Sequence, residues 1–132
     1  MKLSLRTALF IASALLMMFG AIAYSFILLP DLHGDLVEIG VRPTVLGSTV
    51  LHLYFAAFAM FGFALMVIYA AIQTMRGIEP SRFPLAVIAM IYFAFGVILF
   101  SRSHNPHHLG PVAMGVLLAA ALAVSNTRSI NQ

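Results

Sequence analysis

Cysteine is absent from these 132 residues, which excludes disulfides, iron–sulfur clusters, thiolate metal sites and cysteine nucleophiles. Any metal must therefore be held by nitrogen, oxygen or thioether. Charge is scarce as well: charged residues make up 8% of the chain against 62% hydrophobic, with a mean hydropathy of +1.03. A soluble domain is roughly half apolar and a quarter charged, so this composition reads as an integral membrane protein. The pI near 9.8 comes from seven Lys and Arg scattered against four acids, without a basic patch, and argues for membrane orientation rather than nucleic-acid binding. No Asp, Glu, Lys or Arg stands in the middle of an apolar stretch, so a charged relay across the bilayer is missing and transport is disfavoured. The chain also lacks a G-x-S-x-G elbow, a phosphate loop and an H-E-x-x-H motif, which removes the common hydrolase and nucleotide-binding classes.

What the chain does have is four apolar stretches, at about 7–29, 43–75, 84–100 and 106–125, each near the roughly 20 residues that cross about 30 Å of hydrocarbon. They imply an all-α membrane protein, a single domain over 1–132, with four transmembrane helices in an up-down-up-down bundle. The first stretch has a rival reading as a secretory signal peptide, with Lys2 and Arg6 as a basic start and Ala21-Ile22-Ala23 as an A-x-A site. The apolar run continues through Phe26 to Leu29, longer than such a peptide's core, so a retained helix is expected. Prolines punctuate the rest. Pro30 closes the first helix, Pro43 opens the second, Pro80 and Pro84 bracket entry to the third, and Asn105-Pro106 reads as an N-cap followed by proline at the first helical position. Pro111 then bends the fourth helix, unless that helix begins only at Gly110.

Orientation follows from the basic residues. An inward N-terminus leaves Lys2, Arg6, Arg76, Arg82 and Arg128 inside and only Arg42 and Arg102 outside, so both termini are expected in the cytoplasm of a bacterial inner (plasma) membrane. All five histidines then fall on the outer side, in the loop Pro30 to Arg42, the turn Ser101 to Asn105, or the helix ends beside them.

Those histidines are the chemistry-bearing feature. His52 lies inside an apolar stretch, where an ionisable group is costly enough to suggest function. It falls on a stripe of Ser48, Phe55, Ala56, Ala59, Gly62 and Met66 expected to face the bundle, since small residues let helices approach. Its bland reading is a structural hydrogen bond to a neighbouring helix, to Tyr24 or to Tyr92. His104, His107 and His108 have the spacing H-x-x-H-H, in which residues three and four apart share one face of a turn and converge on one ion. The outer loop adds His33 with Asp31, Asp35 and Glu38, carboxylates that ligate or orient imidazoles. A loop between membrane helices also needs polar residues simply to stay in water. The eight methionines are scattered without Met-x-Met clusters and read as packing.

The five residues His104 to His108 resemble one histidine box of the membrane fatty-acid desaturases and hydroxylases, whose di-iron centres are built from several such boxes. Five histidines are too few for a full set, and those boxes face the cytoplasm, so the chain as a whole is not identified as a member. The narrower expectation is a small membrane protein that holds a transition metal (Cu, Fe or Zn) through His33, His52, His104, His107, His108, Asp31 and Asp35, or haem b through His52 and His108. Such a protein would act as a homo-oligomer or as a subunit of a membrane redox or metal-handling complex. Two alternatives stand beside it: a cofactor-free accessory or scaffold subunit, and a pocket for a lipid or small apolar molecule between the helices.

Overall fold

The computed structural model describes residues 4–124, and no strand occurs among them. Helix α1 (Leu5–Ala23) runs through a π-helical turn (Tyr24–Leu28) into α2 (Leu29–Glu38); then come α3 (Pro43–Met75), α4 (Arg82–Ser103), a 3₁₀ turn (Pro106–His108) and α5 (Leu109–Ala123). Four helical runs, Leu5–Glu38, Pro43–Met75, Arg82–Ser103 and Pro106–Ala123, are long and apolar enough to cross a membrane. The expected end of the fourth stretch at Ser125 lies outside the described residues, as do Lys2 and Arg128.

The first helix corrects the sequence reading. Pro30 does not close it; the helix continues to Glu38, so Asp31, His33, Asp35 and Glu38 stand on a helix and not in a loop. Proline inside a helix removes one N–H and crowds the preceding turn. Here the chain widens just ahead of it, with the Leu29 N–H bonding back to the Tyr24 carbonyl, so that Pro30 falls in the first turn of α2, where no N–H is needed. The run ends at Gly40, whose φ of 72° suits glycine, with Val41 N–H donating to Leu36 O and Gly40 N–H to Val37 O in a Schellman closure. Runs of 34 and 33 residues are about 50 Å long and outreach about 30 Å of hydrocarbon, whereas the 22 residues of α4 span about 33 Å. The α2 end of the first run packs against α3.

At the other end, α4 begins two residues before the expected Pro84 and extends beyond Phe100 to Ser103. His104 then takes the left-handed conformation at φ 53°, one that histidine adopts more readily than most residues. Asn105 caps the next turn, its Oδ1 accepting from the His107 N–H at 3.1 Å. Because α5 proper begins at Leu109, Pro111 lies in its first turn and no bend is required.

The core is a set of helical stripes. Phe10, Ala14, Met17 and Ala21 of α1 meet Ala64, Val67 and Ala71 of α3 and Met114, Leu118 and Ala121 of α5, while α4 packs on α5 through Leu85, Ile88, Ala89 and Tyr92. Gly115 lets α4 and α5 approach closely: a Cβ there would stand 2.6 Å from Ala89 O and 2.8 Å from Phe93 N. Helix α1 is thus flanked by α3 and α5, and α5 by α1 and α4, but α3 and α4 scarcely touch. Their meeting includes an edge-to-face contact between Phe63 and Tyr92, ring centroids 6.2 Å apart. The bundle has an open seam.

One buried charge ties the far end together. Arg6, 1% exposed, forks onto Glu79 of the α3–α4 connection at 2.6 and 2.7 Å, and its Nε donates to Ala121 O at 3.3 Å near the end of α5. Arg82 adds a second contact to Glu79 at 3.0 Å. Hydrogen bonding from Arg6, helped by Arg82 and opposed by desolvation, holds the Glu79 carboxyl down to about 2. Read in the sequence as a basic flank of the first apolar stretch, Arg6 is a structural clamp between α1, the α3–α4 connection and α5.

Candidate functional site

The half of the α3–α4 seam nearer the start of α3 and the end of α4 widens into a cavity of about 190 Å³. Ala56, Ala59, Met60 and Phe63 of α3 form one wall, and Ile91, Tyr92 and Phe95 of α4 the other. Tyr24, at the start of the π-helical turn, and Pro111, in the first turn of α5, complete it. All four helical runs therefore contribute to its lining. Its surface is almost wholly apolar; the Tyr92 hydroxyl is sealed from solvent and has no hydrogen-bond partner among the described residues. Beyond the Phe63–Tyr92 contact the seam continues as a more open groove along Leu65, Tyr69 and Gln73 of α3 and Pro80, Pro84 and Leu85.

The histidines do not line this cavity. His52 is exposed on α3, its Nδ1 2.6 Å from the Ser48 carbonyl oxygen one turn earlier, so its hydrogen bond is made within its own helix and not to Tyr24, Tyr92 or another helix. A carbonyl oxygen only accepts, so Nδ1 carries the proton and the neutral ring keeps its lone pair on Nε2. His33 is exposed on α2, His104 and His107 are exposed around the turn, and His108 is half-buried. Among the described residues no group of three or more His, Asp or Glu stands close enough to hold a metal ion. The expected convergence of His33, His52, His104, His107, His108, Asp31 and Asp35 on one centre is thus not formed by the described residues of one chain. Asp31 and Asp35, four apart on α2, share a face with Glu38, and all three are exposed.

The expected face of α3 also needs correction. Its buried residues are Ala57, Ala64, Val67, Ala70, Ala71 and Thr74, whereas Phe55 is 75% and Met66 43% exposed. Small residues occur on more than one side of this helix, so the rule that small faces pack inward selects two stripes. Packing against α1 buries one of them; the other, with Ala56 and Ala59, is left lining the seam. On the other helices Ser13, Ala89, Tyr92, Gly96 and Gly115 are buried, whereas Gly20, Tyr24, His108, Pro111 and Leu122 are half-buried and Ala119 is exposed.

Comparison with protein-family models, with curated proteins and with solved structures finds no match to this chain.

Proposed function

We propose that this chain is a membrane protein that takes an apolar molecule from the bilayer into the seam between α3 and α4. The observation that carries this reading is the cavity itself: apolar, bounded by all four helical runs, and set between two helices that scarcely touch. Ligand sites of this kind occur between helices of a bundle. At about 190 Å³ it falls below the roughly 300–1,000 Å³ of sites that enclose a drug-sized ligand, so it suits a segment of a chain rather than a haem. The topology proposed with it is up-down-up-down, both termini cytoplasmic and the histidine-bearing end outside, on the excess of basic residues at the opposite end. Native mass spectrometry of the protein extracted from membranes tests the reading. A retained lipid that is lost in Ala59→Phe, which fills the cavity, is the expected result; retention unchanged in that variant counts against it.

A second reading keeps a metal ion at the outer end, favoured by His52: an imidazole with Nδ1 held by a carbonyl offers Nε2 as a ligand atom in a fixed orientation. A second copy or a partner subunit would supply the remaining ligands. Metal analysis and a visible spectrum of the purified assembly decide it; no stoichiometric metal and no Soret band would remove both the metal and the haem forms.

A further inference from the structure

We infer that the molecule held in the seam is a single-chain amphiphile with a hydroxyl head, and that His52 receives that hydroxyl. The inference rests on the seam-binding reading above and adds the chemistry of the ligand's polar end. Inside the cavity a polar head finds little to bond: the surface is almost wholly apolar and the Tyr92 hydroxyl is sealed off. A polar group buried without a hydrogen bond is costly, so the chain enters and the head stays at the mouth. The outermost α3 residue of the lining is Ala56, and His52 stands one turn beyond it, about 6 Å along the axis. Side chains lean toward a helix's N-terminus, which carries the imidazole further out, to the level where its Nδ1 meets Ser48 O. On α5 the lining residue is Pro111, three residues after the half-buried His108.

The tautomer then selects the head. With its proton committed to Ser48 O at Nδ1, neutral His52 is an acceptor at Nε2. It pairs with a head that donates, which we take to be the O–H of an alcohol, and offers nothing to an ether or ester oxygen, which only accepts. Tyr24 completes the cavity at the level of the π-helical turn, and the limited volume admits one chain rather than two.

The test uses the full chain in lipid nanodiscs with two photoreactive probes, a diazirine-tagged hexadecanol and its methyl ether, with labelled peptides read by mass spectrometry. Both probes should label the cavity walls from Ala56 to Phe63 and from Ile91 to Phe95. Competition with untagged hexadecanol should place the alcohol about three- to tenfold tighter than the ether, the worth of one neutral hydrogen bond. His52→Phe should reduce the alcohol to the ether's affinity without changing the ether, and His52→Gln, whose amide oxygen accepts, should recover part of the difference. His52 is exposed, so these variants leave the core intact. Equal affinity of the two probes, or an alcohol preference that survives His52→Phe, overturns the hydroxyl assignment while the seam remains a binding site. Labelling of the walls by neither probe overturns the seam reading as well.

Discussion

Two buried polar side chains show how differently a polar atom fares in this bundle. Arg6 is fully paired, and Tyr92 is not. Removing one member of a buried ion pair leaves the other uncompensated. Because Glu79 is half exposed and water reaches its side of the pair, Glu79→Gln should cost about 2 kcal/mol rather than the larger loss of a fully buried pair. The loss is measurable as a lowered unfolding temperature in detergent. The pair also sets an acid limit. The Glu79 carboxyl, at about 2 when folded against an ordinary 4.5, contributes stability that is complete above about pH 4.5 and fades as pH falls toward 2. Glu79→Gln should flatten the stability profile in that window, and a variant that still loses stability there in parallel with the native chain would refute the role of this carboxyl. For Tyr92 the expectation has the opposite sign. Its hydroxyl is buried without a partner, so Tyr92→Phe should leave stability unchanged or raise it by about 1 kcal/mol, whereas a fall would reveal a partner for that oxygen. Neither residue's role was visible in sequence. Arg6 reads there as one of several basic flanks, and the carboxylate that meets it lies 73 positions away.

At the scale of elements, local chemistry was legible wherever it decided the outcome locally. Helix α3 begins at Pro43 and ends at Met75, the bounds expected from its proline start and apolar run, and Asn105 caps the following turn as its spacing implies. Pro30 misled because proline's effect depends on the turn in front of it, and a widened turn moves it to a helix start. That change carries Asp31, His33 and Asp35 from a loop onto a helix, which sets Asp31 and Asp35 on one face and His33 on another. Close packing between α4 and α5 offers a direct check. Gly115→Ala places a methyl group against backbone atoms of Ala89 and Phe93, which cannot rotate away. Overpacking of this kind should cost about 1–3 kcal/mol, read by thermal unfolding, and should push these helices apart.

For the whole molecule, the lack of cysteine makes the orientation easy to test. Single-cysteine variants at Asp35 and at Ile78, at opposite ends of the first two helical runs, should react differently with a membrane-impermeant maleimide added to intact cells. Asp35→Cys should label and Ile78→Cys should not; the reverse pattern would invert the topology and place the histidine-bearing end inside. Composition and the lengths of the apolar runs determined by themselves that this chain forms helices able to cross a membrane, because bilayer thickness and the need to satisfy backbone hydrogen bonds act on each stretch separately. Which stripe of α3 is buried, that Arg6 reaches Glu79 and Ala121, and that α3 and α4 leave a seam open were decided only by tertiary structure. Each depends on where other helices stand. Small residues on two sides of one helix carry no record of which neighbour will arrive.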